Sequence, residues 1–553
     1  MLSQVARADG SAWPAFDLVV ALIAIVVLPL FVYGLGNTYL WQDEAQTALL
    51  GRSVLIHGVP MVGEGAESLS AVRGKDAGVG GVYFQIAWLQ AYVEAASFRL
   101  FGESSWSARL PFAIAGWLCI PLVAWAMRAA GATILAARIA ALSVALSVPF
   151  IIVSRQARYY AMTAAIVLVT TGTYAALART VKSPRRRTQA TIPAFAFALA
   201  ASVLVVSFDI TAIGVLGAIA CHWLLITQSD DSRWNARFWL AWTLPCLVLA
   251  VWLAASFTAA SRTENAGLTA IPGRLRYSAS YYLGQINAHI VPLPVLLLLA
   301  LLRGVPAADR NADVNDSRRA VGLLTAVALG GLAGTLLSPH RFFRYIVPIF
   351  PVVLALSAIG IAALWTRGPR MRVSAAILLA ALVSTNVLFV WSHAALEGIA
   401  RATGWVTVRE RVFETRIPMA DFFSELRDPP RGPVAAAIEY LQQHAGPRDV
   451  VVAAYDDLPL KFHTKLRVYG GETGEVPPPD VVPQWIWPRN LKVYAEVRPV
   501  TDWIGRELES GKYGRVELQA IDRRWENRED PETHIFFNPG PPGPPVVLYK
   551  ARD

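Results

Sequence analysis

Long apolar runs separated by short polar loops fill residues 16–391, and the pattern breaks at 393. The first run, 16–36, predicts a retained membrane helix. Ala45, Ala48, Leu49, Arg52, Leu55 and Ile56 then recur at three- and four-residue spacing, which predicts an amphipathic helix over 42–57 lying at the membrane interface. A Gly-rich loop follows at 61–81, carrying Glu64, Glu67, Arg73, Lys75 and Asp76. Segment 82–101 is apolar enough to resemble a span but is interrupted by Gln85, Gln90, Glu94 and Arg99. Further apolar runs lie at 107–127, 135–153, 160–177, 192–207, 210–227, 238–257, 281–302, 320–337, 345–365 and 373–391. By the span-length rule this gives about 11 transmembrane helices.

Charge chooses between the two readings of 82–101. If that segment spans, the basic loop Lys182-Ser-Pro-Arg-Arg-Arg187 shares a side with Asp43. If it lies on the surface, that loop joins the other basic loops, which is what the positive-inside rule favours. The N-terminus is then inside. The Asp43 loop, 154–159, 258–280, 338–344 and the C-terminal tail face outwards, from the cytoplasmic membrane into the extracytoplasmic space.

Composition agrees. The chain has 553 residues, 55% hydrophobic and 16% charged, with mean hydropathy +0.42. That excludes an ordinary soluble protein of this size. The net charge of +10 is scattered through inter-helix loops, as membrane topology requires and a nucleic-acid surface does not. Cys119, Cys221 and Cys246 all lie in apolar runs and form no disulfide or zinc pattern. Two domains are expected: a membrane domain over 1–392, with interfacial helices at about 42–57 and 82–101, and an α/β domain over 393–553. In the second, 434–443 reads as a helix and 449–454, 466–469, 534–537 and 546–550 as strands.

The candidate chemistry collects on one face. Asp43 and Glu44 end the first apolar run, where a carboxylate is costly unless used or paired. Arg155-Gln-Ala-Arg158-Tyr159-Tyr160 and His340-Arg341-Phe-Phe-Arg344-Tyr345 join spans on that same face. Arginine binds phosphate oxygens in pairs, and tyrosine adds a hydroxyl at home in the interface. Arg158, Tyr159, Arg341, Arg344, Tyr345 and Lys75 are therefore the candidates for a membrane-anchored phosphate. Asp43 is the candidate base. Successive helical residues point about 100° apart, so Glu44 takes a supporting role, such as pairing with an outer-face arginine. Taken singly, the acidic pair reads equally well as a helix cap, and each arginine as an interface anchor. Only their gathering favours a site.

In order along the chain, Trp41-Gln-Asp43-Glu44-Ala45, Leu100-Phe-Gly-Glu-Ser-Ser-Trp-Ser-Ala-Arg-Leu-Pro111, Gln156-Ala-Arg-Tyr159 and Arg344-Tyr345-Ile-Val-Pro348 resemble the motifs of the GT-C glycosyltransferases. The branch is the family 39-like one, which includes protein O-mannosyltransferases and lipid A aminoarabinose transferases. The resemblance implies a GT-C fold with a C-terminal soluble domain, Asp43 as the catalytic carboxylate, and inverting transfer of a sugar from a polyprenyl-phosphate donor to an acceptor hydroxyl. Many relatives carry a His-Pro-Pro-Leu-like segment where this chain reads Val79-Gly-Gly-Val82. The acceptor stays open between a glycan, a lipid and a protein. No cofactor is assigned and no metal ligand set appears; a divalent metal stays open, with the 61–81 carboxylates beside it. A lipid or glycan transporter and a non-catalytic envelope assembly protein are the rival readings.

Overall fold

The computed structural model describes residues 17–70, 76–83, 88–182, 189–207, 210–226, 240–248, 271–303, 313–338, 340–403, 414–429, 431–489, 497–523, 531, 534 and 543–552. Four helical segments are long and apolar enough to cross a bilayer: Ser105–Ala130, Tyr160–Val181, Arg318–Leu336 and Phe343–Trp365. Three more crossings are available if bent pairs count as one span each, and three apolar helices are shorter.

The expected runs 135–153, 281–302 and 373–391 are the bent pairs, with angles of 64°, 84° and 88°. Pro149 and Pro292 stand at the first two bends, where a missing N–H and the ring prevent a continuous helix. At the third, Asn386 leaves the helix to bond residues 414–416: its backbone N–H donates to Arg416 O, and its side-chain oxygen accepts the Arg416 N–H. All three bends border one cavity of about 60 Å³ lined by Ser143, Ser147, His289, Ser357, Thr385 and Asn386. Irregular backbone inside a membrane bundle is tolerated where polar groups receive it. Elsewhere small residues bring helices together. A Cβ on Gly214 would overlap Gly330 O, so the two backbones touch.

Helix α1 (Leu18–Val32) leads through a loop to α2 (Gln42–His57). Helix α3 covers Trp88–Phe101, and its 14 residues are too few to cross roughly 30 Å of hydrocarbon. It packs flat on α2. Gly51 makes this possible, because a Cβ there would meet Glu94 Cγ at 2.5 Å. The expected one-sided amphipathic α2 is instead enclosed almost all round. From Gln42 to Val54 only Asp43 and Arg52 escape full burial, and exposed apolar side chains appear only at Leu55 and Ile56. Its polar residues are held by protein partners, which removes the cost of burying them.

The C-terminal part is a three-layer α/β unit. Strands β1 (Val450–Ala453), β2 (Arg467–Gly470), β3 (Trp485–Trp487), β4 (Tyr513–Ile521) and β5 (Pro545–Ala551) form one sheet in the order β2-β1-β3-β5-β4. The first three are parallel and the last two antiparallel. Side chains alternate across β1. Val451 and Ala453 pack with helix 433–444, and Val450 and Val452 with helix 498–509. The strands at 485–487 and 513–521 are additions to the expected set, although Val516, Leu518 and Ala520 alternate with Arg515, Glu517 and Gln519. The strand expected at 534–537 falls outside the described residues except for His534.

This unit docks on α2 through a short helix, Asp457–His463. Leu458 and Phe462 join the core of the membrane half. Phe462 stacks on Phe98 at 6.0 Å, and the Leu40 N–H donates to His463 Nε2 at 3.1 Å.

Candidate active site

The two neighbouring carboxylates of α2 have opposite surroundings. Glu44 is 1% exposed. It accepts from Arg109 Nε at 2.8 Å, Arg109 Nη2 at 2.6 Å and the Ala157 N–H at 2.9 Å. Arg109 spends its remaining N–H groups on the Leu35, Thr38 and Tyr39 carbonyls and on Thr38 Oγ1. A buried ion pair holds only when its other donors and lone pairs are also met, and here they are. Glu44 therefore fixes the start of α2 against the 35–39 turn and the 155–158 loop.

Asp43 faces elsewhere. Its Oδ2 lies 3.1 Å from Arg344 Nη1 and 3.6 Å from Arg158 Nη2, and its side chain keeps 18% exposure. Its Oδ1 has no hydrogen-bond partner among the described residues. Arg158 is further held by donating Nη1 to Asp43 O at 3.1 Å and to Thr47 Oγ1 at 3.2 Å. The Tyr160 ring lies about equally far from both guanidiniums, 5.9 and 6.0 Å, and the Trp41 ring 6.0 Å from Arg344. Phe342 lies under Arg344 at 4.1 Å. Two cations thus converge on one oxygen of a carboxylate. Oxyanions bind such a guanidinium pair well.

The other expected residues fall as follows. Tyr159 is buried, its ring 4.3 Å from that of Tyr160, in the same aromatic wall. Tyr345 is half-buried against Phe342, behind Arg344. Arg341 does not join the Asp43 cluster through any ion pair among the described residues; it is exposed, with its guanidinium 4.2 Å from the Tyr277 ring. Lys75 lies outside the described residues. Arg109, Trp41, Gln42, Thr47 and Tyr160 join the site without a role assigned from sequence. For Arg109 a signal exists: an arginine inside a span's first turn needs a carboxylate, and Glu44 is available.

The 61–81 loop is ordered where described. Val62 and Gly81, Leu69 and Val62, and Tyr83 and Pro60 are joined by backbone hydrogen bonds, and Asp76 is buried on Ser70. Among the described residues no group of three or more His, Cys, Asp or Glu is placed to hold a metal ion. The loop's described carboxylates do not make a ligand set, so no step below is routed through a metal.

Beside α2, the Glu94 carboxyl is fully buried and held well above the usual carboxylate range by that burial and by nearby Glu44. His463, in the docking helix, is pushed down to about 3 by burial and by Arg109 and Arg52.

Comparison with solved structures shows the fold: the chain has the fold of the GT-C glycosyltransferases. It is similar to ArnT from Cupriavidus metallidurans, at 15% identity and a TM-score of 0.53, over 96% of this chain and 97% of that one. The same enzyme bound to undecaprenyl phosphate matches at 14% identity and a TM-score of 0.53, with the same coverage. The archaeal oligosaccharyltransferase AglB from Archaeoglobus fulgidus matches at 12% identity and a TM-score of 0.49, over 90% of this chain and 69% of that one. Neither a protein-family model nor a curated protein sequence matches the chain.

Proposed function

We propose that this protein is an inverting glycosyltransferase of the cytoplasmic membrane. It moves a sugar from a polyprenyl-phosphate donor to an acceptor hydroxyl at the outer membrane face. The observation that carries this reading is Asp43 itself: Oδ2 tied to two arginines, Oδ1 open, in a largely buried setting. The similar ArnT structure with bound undecaprenyl phosphate supports the donor class.

In this reading the donor phosphate sits against Arg158 and Arg344. The acceptor oxygen attacks the anomeric carbon from the face opposite the phosphate. Its proton passes to Asp43 Oδ1 as the new C–O bond forms. The bond to the phosphate oxygen breaks, and the lipid phosphate leaves with its added negative charge between the two guanidiniums. The configuration at the anomeric carbon inverts. General-base assistance of this kind is worth roughly 10²–10⁴-fold. Glu44 touches no reactant; with Arg109 it holds the helix end that carries Asp43. Tyr159, Tyr160 and Trp41 wall the phosphate site. Arg341, exposed beside Tyr277, and Tyr345, behind Arg344, are further donor contacts in this reading, as is Lys75 of the loop outside the described residues.

In this reading the membrane domain, 1–392, crosses the bilayer about 11 times, the bent pairs and shorter apolar helices serving as crossings beside the four long ones. The 393–553 domain stands on the outer face. The acceptor is a glycan, a lipid or a protein hydroxyl. The test is transfer of radiolabelled sugar from a panel of polyprenyl-phosphate donors to membrane extract by protein in nanodiscs, with a chelator arm for metal dependence. Label in product supports the reading. No transfer from any donor, with folded protein and competent extract, contradicts it and favours transport or assembly.

A further inference from the structure

The residue before Asp43 is tied to the C-terminal unit. Gln42 is 1% exposed and spends both polar ends of its amide on the docking helix. Its Nε2 donates to Asp457 Oδ1 at 2.9 Å, and its Oε1 accepts the Leu458 N–H at 3.4 Å. Asp457 is fully buried and pairs with Lys461 Nζ at 3.5 Å. Lys461 in turn donates to Ser68 O at 2.6 Å, and the next residue's carbonyl, Leu69 O, accepts from Gln46 Nε2 of α2 at 3.2 Å. The place for Asp457 is cut to shape: Gly471 has φ +59°, and a Cβ there would overlap Asp457 Oδ1. Burial raises the Asp457 carboxyl and lowers the Lys461 amine, so each charge depends on the other.

We propose that Gln42 and Asp457 form a clamp through which the C-terminal domain sets the position of Asp43. Both are positioning residues for the transfer reaction, so the proposal rests on the function proposed above. The geometry is that of one helical turn held at two points. Residues on a helix point about 100° apart. Glu44 is pinned to Arg109 on one side of Asp43, and Gln42 is pinned to Asp457 on the other. Rotation of the turn about its axis is thereby fixed, and Asp43 Oδ1 is aimed. Displacing a reacting group by about 1 Å can cost about 10²-fold in rate. The C-terminal domain is then part of the catalytic unit rather than an appended module.

The test exchanges donor and acceptor across the clamp in the full chain in nanodiscs. Gln42→Glu sets two carboxylates together. Asp457→Asn leaves Lys461 without its counter-ion. In the double variant, the introduced asparagine amide donates to the introduced carboxylate, the Leu458 N–H keeps an acceptor, and Lys461 keeps a nearby negative charge. The expected result for Gln42→Glu is kcat lowered by about 10²-fold at neutral pH, with donor KM changed much less because neither substituted residue is bonded to Arg158 or Arg344. Activity should recover partly as pH falls and the two carboxyls share a proton. The double variant should regain most of the kcat. The proposal is overturned if the single variants lose thermal stability but keep wild-type kcat per folded molecule. It is also overturned if the double variant is no better than either single. Should wild type transfer from no donor, the function proposed above fails by itself. The clamp is then read by hydrogen exchange of the amides of 43–47. Faster exchange in Gln42→Glu that is restored in the double variant upholds the clamp, and unchanged exchange refutes it.

Discussion

The two sides of the first turn of α2 show what fixing and freeing a carboxylate each require. On the Glu44 side both oxygens and the guanidinium N–H groups have protein partners, and water is excluded. On the Asp43 side one oxygen is restrained by two arginines and the other has no partner among the described residues. The same chemical group is a strut in one place and the candidate base in the next. Sequence position alone does not separate them; the partners do.

The largest way to break this contrast is to remove the strut. Glu44→Ala leaves Arg109 buried and uncompensated, which typically costs about 3–5 kcal/mol. The expected outcome is a large fall in thermal midpoint and in yield of folded protein, with total activity falling at least as far as the folded fraction. Thermal unfolding in detergent, beside activity per folded molecule, checks it.

Arg344→Gln acts on the other side. One charge-assisted hydrogen bond to phosphate, about 1.5–3 kcal/mol, is removed. Transfer should fall about 10- to 100-fold, with the thermal midpoint little changed. Arg341→Gln, at an exposed residue outside the Asp43 cluster, should have a much smaller effect. Equal losses for the two would move the phosphate site outwards.

Gly51→Ala sharpens the comparison by pushing α2 away from α3 without touching either carboxylate. The new Cβ meets Glu94 Cγ at 2.5 Å, and overpacking of this kind costs about 1–3 kcal/mol. Stability and kcat should fall together, since the whole of α2 shifts.

The effect that is smallest near neutral pH is a pH dependence. His463 is held neutral down to about 3, against about 6.5 when unfolded. Between those values the unfolded chain binds the proton and the folded chain does not. This group's contribution is therefore full above about 6.5 and is lost progressively as pH falls towards about 3. His463→Gln should flatten that part of the curve of thermal midpoint against pH. An unaltered slope would place the titrating groups elsewhere.

Much of the site is legible because membrane chemistry makes charge conspicuous. Asp43, Glu44, Arg158 and Arg344 stand out as ionisable residues beside apolar runs, and topology puts them on one face. Glu44's partner is harder to see. Arg109 lies within a motif that signals likeness, and likeness alone does not mark it as a buried cation in need of a counter-ion. Gln42 and Asp457 cannot be paired from sequence: 415 positions separate them, and neither lies in a periodic pattern that reports tertiary contact. Hydropathy marks the apolar runs but not their bends, since a window average does not register a break such as Thr385-Asn386. The alternation at 513–521 is present in the sequence, but its exposed charges and moderate apolar residues make it a weak strand signal. The three-residue strand 485–487 is too short to show a period at all.

The measurement closest to the central claim compares wild type with Asp43→Asn in the nanodisc transfer assay, with thermal midpoint recorded for both. The substituted amide keeps the shape and an oxygen for Arg344 but cannot take up the acceptor's proton. The account predicts transfer reduced by roughly 10²–10⁴-fold or more at an unchanged donor KM, in a protein that folds normally. Transfer that survives the substitution would place the base on another residue and contradict the role assigned to the open oxygen of Asp43.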